Sequence, residues 1–316
     1  MSQLQIIGVP MDLGADRRGV DMGPSAIRYG DITDTANFKS KLESLGYTCH
    51  DQGDVPVPTP ETRNPTAGTA GTASMRQAKY VPEVKDVCEN VSTAVSTALA
   101  NGRFPMVLGG DHSIAIGSLN GTAETADVGV LWFDAHADLN TPETTPSGNV
   151  HGMPLAAVLG VGAFQESEFE WAHAPNVRAE NIAIVGLRSV DDAEKAVIRD
   201  SDITAYTMSD IDERGIAAVV SEAMEIVTEN TEQLHVSFDL DWLDPVEAPG
   251  VGTPVPGGVS YREAHYALES IARYHEQDPI LRSLEFVEVN PVLDERNKTA
   301  ALTGELAASA LGKRVL

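Results

Sequence analysis

Short apolar runs recur along the chain, and each stops at a glycine, a proline or a charged residue. They are "LQIIGVP" near the start, then "FPMVLGGD", "VGVLWFDAHAD", "NIAIVGLRS", "ITAYTMSD", "QLHVSFDLD" and "LRSLEFVEVNP". Most stay apolar at consecutive positions instead of alternating, which is the pattern of strands buried on both faces. Segments with helical spacing lie between most of them. "VPEVKDVCENVSTAVSTALANG" is one, ending in the helix stop Asn-Gly; "GIAAVVSEAMEIVTEN" and "YREAHYALESIARYHE" are others. "MDLGADRRGVDMGPSAIRYG" reads as a charged loop leading into a helix near Pro24. Strand–helix alternation of this kind predicts an α/β fold, a mostly parallel sheet covered on both faces. "VPVPTPETRNPTAGTAGTAS", Val55 to Ser74, is expected to be a surface loop or insertion, and the most disordered part of the chain. No interior stretch reads as a linker, so residues 1–316 are expected to form one domain.

Polar residues close run after run: Asp111-His112, Asp134-x-His136-x-Asp138, Arg188, Asp239-x-Asp241 and Glu288. Open α/β sheets bind ligands beyond the carboxyl ends of their strands, so these residues are expected to face one crevice. Side chains alternate along a strand, which would put Asp134, His136 and Asp138 on one side and the two alanines between them on the other. Asp239 and Asp241 repeat the device, and "GGDHS" adds His112. Each motif alone also occurs at ordinary strand ends. Together they supply two imidazoles, four carboxylates and no thiolate. That set suits a divalent metal preferring oxygen and nitrogen, Mn²⁺ above Zn²⁺. Six ligands exceed what one tetrahedral zinc takes, and four carboxylates would repel one another strongly. Two ions about 3.5–4 Å apart, sharing carboxylates and acidifying a water between them, fit better.

Charge narrows the function further. The chain has 22 basic and 47 acidic residues, a net −25, which excludes a nucleic-acid partner held by phosphate contacts. The acid is spread throughout and Arg outnumbers Lys about two to one, the balance of a proteome adapted to high salt. No run of about 18 apolar residues is present, so no membrane helix is expected. An N-terminus without an export pattern and only two cysteines, Cys49 and Cys88, fit a reducing cytoplasm.

The motifs also carry a family resemblance. "GGDHSIAIGS", "DAHADLNTPETTPSGNVHGMP", "GLRSVD", "SFDLDWLDP", "GTPVPGGVSYRE" and "EVNP", in that order, resemble the ureohydrolases and most closely their arginase branch, as does "GVPMDLGADRRGVDMGPSAIR". The stretch around residues 60–74 has no clear counterpart. The resemblance implies a three-layer α/β/α fold with two Mn²⁺ per subunit, assembled into homotrimers or homohexamers. It implies hydrolysis of L-arginine to L-ornithine and urea, by attack of a metal-bridging hydroxide on the guanidinium carbon. The implied ligands are the same six, His112, Asp134, His136, Asp138, Asp239 and Asp241, with Asp134 and Asp239 as bridges. Asp138 would also pass a proton to the leaving amine. His151 would shuttle protons, and Glu288 would hold the guanidinium. Thr253 would shape the pocket beside it. Asn140, Thr145 and Ser147 would contact the α-carboxylate, and Asn149, Asp191 and Glu194 the α-ammonium. Two positions depart from the usual arginase pattern. Ser189 stands where many carry Asp. Trp242 stands where Gly is usual, and is expected to alter packing or narrow access. The alternatives are another amidinohydrolase, acting on agmatine, guanidinobutyrate or formiminoglutamate, and a catalytically silent metal- or arginine-binding regulator.

Overall fold

A computed structural model of the chain describes residues 3–30, 37–66 and 78–314. Eight strands form one sheet: β1 (Gln3–Val9), β2 (Thr48–Asp54), β3 (Phe104–Gly109), β4 (Val128–Phe133), β5 (Val177–Leu187), β6 (Thr204–Thr207), β7 (Gln233–Asp239) and β8 (Leu281–Val287). Their order is β2-β1-β3-β8-β7-β4-β5-β6, and every neighbouring pair is parallel. Seven of these strands are the seven apolar runs. The eighth, β2, has the sequence TCHDQGD and pairs with β1 alone. As an edge strand with most of its side chains at least partly in solvent, it needs no apolar pattern, and its charges discourage edge-to-edge pairing.

The central strands are buried on both faces because successive side chains feed two separate cores. Leu4, Ile6, Met106, Leu108, Leu131 and Phe133 enter one, with helices Gly23–Tyr29, Ile216–Thr228, Tyr261–Gln277 and Lys298–Ala310. Ile7, Val9, Val107, Val130 and Trp132 enter the other, with helices Val81–Ala100, Ala115–Thr122 and Pro154–Leu159. This is the three-layer α/β/α arrangement. Each fully buried Leu, Ile, Val or Phe contributes about 1.5–3 kcal/mol, so both faces anchor the sheet and hence the strand ends. Residues 55–66 run as an irregular segment with a single 3-10 turn at Pro60–Thr62, while 67–74 lie outside the described residues. Among the described residues no helix is long and apolar enough to cross a membrane.

The five strands whose ends carry the polar motifs are β3, β8, β7, β4 and β5. They are consecutive in the sheet.

Candidate metal centre

Gly110, just past β3, passes so close to the opening loop that a Cβ there would sit 1.9 Å from the Met11 carbonyl oxygen. Only glycine allows this approach. Asp111 then caps the 3-10 turn His112–Ile114: one carboxylate oxygen accepts from Ser113 N at 3.0 Å and from its hydroxyl, the other from Gly14 N at 2.8 Å. His112 is thereby placed between two partners. Its ring stacks on Trp132, 4.2 Å between centroids, and Nε2 lies 2.8 Å from Ser237 Oγ on β7. Its Nδ1 faces three carboxylates: Asp134 Oδ2 at 3.2 Å, Asp138 Oδ2 at 3.0 Å and Asp239 Oδ2 at 3.2 Å.

The expectation that Asp134, His136 and Asp138 alternate along a strand is corrected in one respect. β4 stops at Phe133, and the three residues follow it in a curled segment. An extended strand would separate alternate side chains by about 6.7 Å, too far for all three to meet one small cluster. The chain curls instead, and Asp138 takes a left-handed backbone with φ 53°. Its carbonyl accepts from Leu155 N and Ala156 N at 3.2 and 3.4 Å, at the start of helix Pro154–Leu159, which holds the strained residue in place. Ala135 and Ala137 are fully buried, as alternation implied. Asp239 and Asp241 are likewise not two strand residues. Asp239 ends β7 and caps the turn Leu240–Trp242, accepting from Asp241 N at 2.7 Å.

His136 Nδ1 lies 3.1 Å from Asp241 Oδ2 and 3.5 Å from Asp134 Oδ1. Two triads result, His112–Asp134–Asp239 and Asp134–His136–Asp241, each with ligand atoms within 4.8 Å of one another. Asp134 belongs to both. Asp138 sits against the first through His112. The buried atoms His112 Nδ1 and Asp138 Oδ2 have no hydrogen-bond partner. Hard oxygen and imidazole donors, converging in two groups with buried atoms unpartnered, fit a pair of divalent cations. The electrostatics agree. Burial and neighbouring carboxylates push Asp138 up to about 6 and hold Asp239 well above the carboxylate range. Burial opposes charge on His112, yet the carboxylates of Asp134, Asp138 and Asp239 facing its Nδ1 raise it well above the usual imidazole value. A cluster this acidic calls for positive charge.

Glu288 follows β8 with φ 65°, its N–H donating to Gly110 O at 2.9 Å. Oε1 accepts from His112 N at 3.0 Å and lies 3.1 Å from His151 Nδ1, while Oε2 is buried without a partner. Burial opposes charge on His151, but Glu288 pushes it up to about 9. Both residues line a cavity of about 200 Å³ beside the triads, as do Asn140, Asp191 and Glu194. His136, His151, Thr253 and Glu288 also line an outer cavity of about 370 Å³, so the two adjoin.

The other expected contacts divide between these cavities. Asn140 donates to Asp191 Oδ2 at 2.8 Å, and Asp191 with Glu194 forms the capping box of helix Asp192–Asp200. Burial pushes Glu194 up to about 7. Ser147 and Asn149 line the outer cavity; Thr145 lines neither, its hydroxyl accepting from Ser147 N and Gly148 N at 3.4 and 3.0 Å. Thr253 does more than shape the pocket, donating to Asp241 Oδ2 at 2.8 Å. Ser189 lines the inner cavity.

Arg188 departs from its expectation, and Trp242 meets only the packing half of its own. Arg188 does not face the crevice as a site residue; its guanidinium clasps the carbonyls of Asp241, Trp242, Leu243 and Val255, bracing the turn that carries Asp241. Trp242 does not narrow access. It is fully buried against Phe133 and Phe238, in space left by Gly186, where a Cβ would lie 2.0 Å from the indole nitrogen. Trp132 and Ser237, which hold His112, escaped the sequence reading because a strand Trp and a strand Ser carry no signal of their own.

Comparison with known proteins agrees with this geometry. A sequence model of the Arginase family matches residues 2–312. The arginase of Brevibacillus brevis is 47% identical with 99% of both chains covered, and that of Bacillus caldovelox 46% identical with 100% of both covered. The solved structure of the Bacillus caldovelox arginase superposes with a TM-score of 0.88 at 44% identity, covering 100% of each chain. The chain therefore belongs to the arginase family and is an amidinohydrolase.

Proposed function

We propose that this protein is an arginase that hydrolyses L-arginine to L-ornithine and urea with two Mn²⁺ ions per subunit. The observation that carries the reading is the pair of triads sharing Asp134, set beside a buried Glu288 whose Oε2 has no partner. His112, Asp134, Asp138 and Asp239 would hold one ion, and Asp134, His136, Asp239 and Asp241 the other. Such a pair supplies an acidified water and Lewis-acid stabilisation of developing negative charge.

The chain's own residues do the rest. Glu288 orients the guanidinium, since a planar cation against a buried carboxylate is a strong directional contact. Holding the guanidinium carbon against the cage converts hydrolysis into a reaction between positioned groups. Asp138 would pass to the departing amine the proton released by the attacking water. His151, which lines both cavities, moves protons between solvent and site. Asn140 and Ser147 meet the α-carboxylate, with Thr145 shaping the turn that presents Ser147; Asp191 and Glu194 meet the α-ammonium.

The same reading extends to the setting. One domain over residues 1–316, a homotrimer or homohexamer, and a cytoplasm of high salt belong to the same proposal, supported by the family resemblance and the net charge of −25. The test is urea release from arginine and agmatine, with and without Mn²⁺, at low and high KCl. Expected is Mn²⁺-dependent hydrolysis of arginine far above agmatine, with activity and stability improved by salt. Equal rates on the two guanidines would overturn the arginase reading, and full activity without added salt would overturn the salt adaptation.

A further inference from the structure

The inner cavity is lined by acids, among them Asp138, Asp191, Glu194, Asp239 and Glu288. A guanidino acid that enters guanidinium first leaves its carboxylate toward the outer cavity, where the lining changes to Asp16, Arg17, Ser147 and Asn149. Asn149 is the ambiguous member of this set. Its amide can present a carbonyl oxygen to an ammonium or N–H groups to a carboxylate. The side chain is 5% exposed, and its backbone N–H is tied to Ser147 Oγ at 3.1 Å, so it has little freedom to choose.

Lys79 makes the choice. Its ammonium donates to Asn149 Oδ1 at 2.9 Å and to Asp16 Oδ1 at 2.9 Å, and its backbone N–H donates to Gly148 O at 2.8 Å. An ammonium has donors and no acceptor, so it can face only the carbonyl end of the amide. A cation held against that oxygen fixes the amide's orientation and disfavours a second ammonium there, so what Asn149 offers a ligand is N–H. Asp16 compensates the lysine charge from the solvent side, 64% exposed.

We infer that Lys79 is a specificity-determining residue: by holding the Asn149 carbonyl oxygen against its ammonium it orients the amide to offer N–H groups, and so favours guanidines that carry an α-carboxylate. The inference rests on the arginase reading, and it moves Asn149 from the expected ammonium contact to the carboxylate side. Lys79 acts through Asn149 and takes no part in the chemistry.

The experiment compares steady-state kinetics of the Mn²⁺-loaded enzyme with those of Lys79→Met and Lys79→Arg, on arginine and on agmatine, which lacks the carboxylate. Lys79→Met is expected to lower the arginine-to-agmatine ratio of kcat/KM by about tenfold, through KM for arginine, and Lys79→Arg to restore most of it. Should Lys79→Met fail to fold, Asn149→Asp serves instead: it keeps Lys79 and places an acceptor at the rim, and must lower the same ratio. An unchanged ratio in a folded Lys79→Met, or in Asn149→Asp, overturns the inference and leaves the arginase reading standing. A wild-type enzyme that releases no urea from arginine overturns both.

Discussion

The cage and the mouth of the site are built on different principles. The cage side chains Asp134, Asp239, Asp241 and His112 are at most 3% exposed and come from the ends of β3, β4 and β7. Asp134 and Asp239 are fixed by short local bonds, accepting from His136 N and Asp241 N at 2.7 Å; Asp241 accepts from Ala135 N, beyond the neighbouring β4, at 3.3 Å, and His112 is held by Ser237 and Trp132. The mouth is made of three loops, around residues 14–17, 140–151 and 252–255, the first two joined by single contacts: His151 N to Gly14 O, and Lys79, which bonds both Asp16 and Asn149. Strand register sets the cage, because moving one ligand means moving a strand end in a packed core. Loop contacts set the mouth, where a change costs little elsewhere. The chemistry of the reaction therefore belongs to the sheet, and the choice of substrate to the loops.

The largest effect that would sharpen this contrast is at Asp134, the member of both triads. Asp134→Asn should lower kcat/KM for arginine about 10³-fold and reduce the metal retained per subunit. A variant that keeps two ions and the wild-type rate would take Asp134 out of the cage.

A smaller effect is expected one bond behind the cage. Ser237→Ala removes the group that orients His112 Nε2, and should weaken Mn²⁺ binding about 10–100-fold, as read by metal titration of the apoprotein. Substrate KM at saturating metal should stay near wild type. A shift in KM without a shift in metal affinity would blur the division between cage and mouth.

The smallest effect lies under the mouth. Asp12 accepts from Gly19 N at 3.0 Å and pairs with Arg18, but its other oxygen is buried without a partner. Burial pushes its carboxyl up to about 7, against the opposing pull of Gly19 N and Arg18. Because the folded value lies above the unfolded one, Asp12 contributes stability fully below about pH 4, its ordinary range, and that contribution is lost as pH rises through 7. Asp12→Asn should flatten the fall in Tm between pH 4 and 7 and leave kcat unaffected. Parallel wild-type and variant Tm curves would show that Asp12 titrates normally.

Much of the site was legible along the chain because strand ends mark themselves: an apolar run meets a charge. β3, β4, β7 and β8 all announced their ligands this way, and so did β5 with Arg188. Arg188 shows the limit of the signal. A polar residue at a strand end may point into the crevice or brace the loop beside it, and only its carbonyl partners tell which. Lys79 shows the opposite limit. It follows a stretch of low complexity and joins no motif, so nothing in its neighbours along the chain marks it.

By itself the sequence determined seven of the eight strands, the helices between them, the six metal-ligand candidates and the family, since each rests on residue type and spacing. Tertiary structure alone decided that β2 joins as a polar edge and that Asp138 reaches the cage through a left-handed turn. It also decided that Trp242 fills the space beside Gly186 and that Lys79 caps Asn149. These depend on which strands are neighbours and how closely backbones approach, quantities that hydrophobic periodicity does not encode.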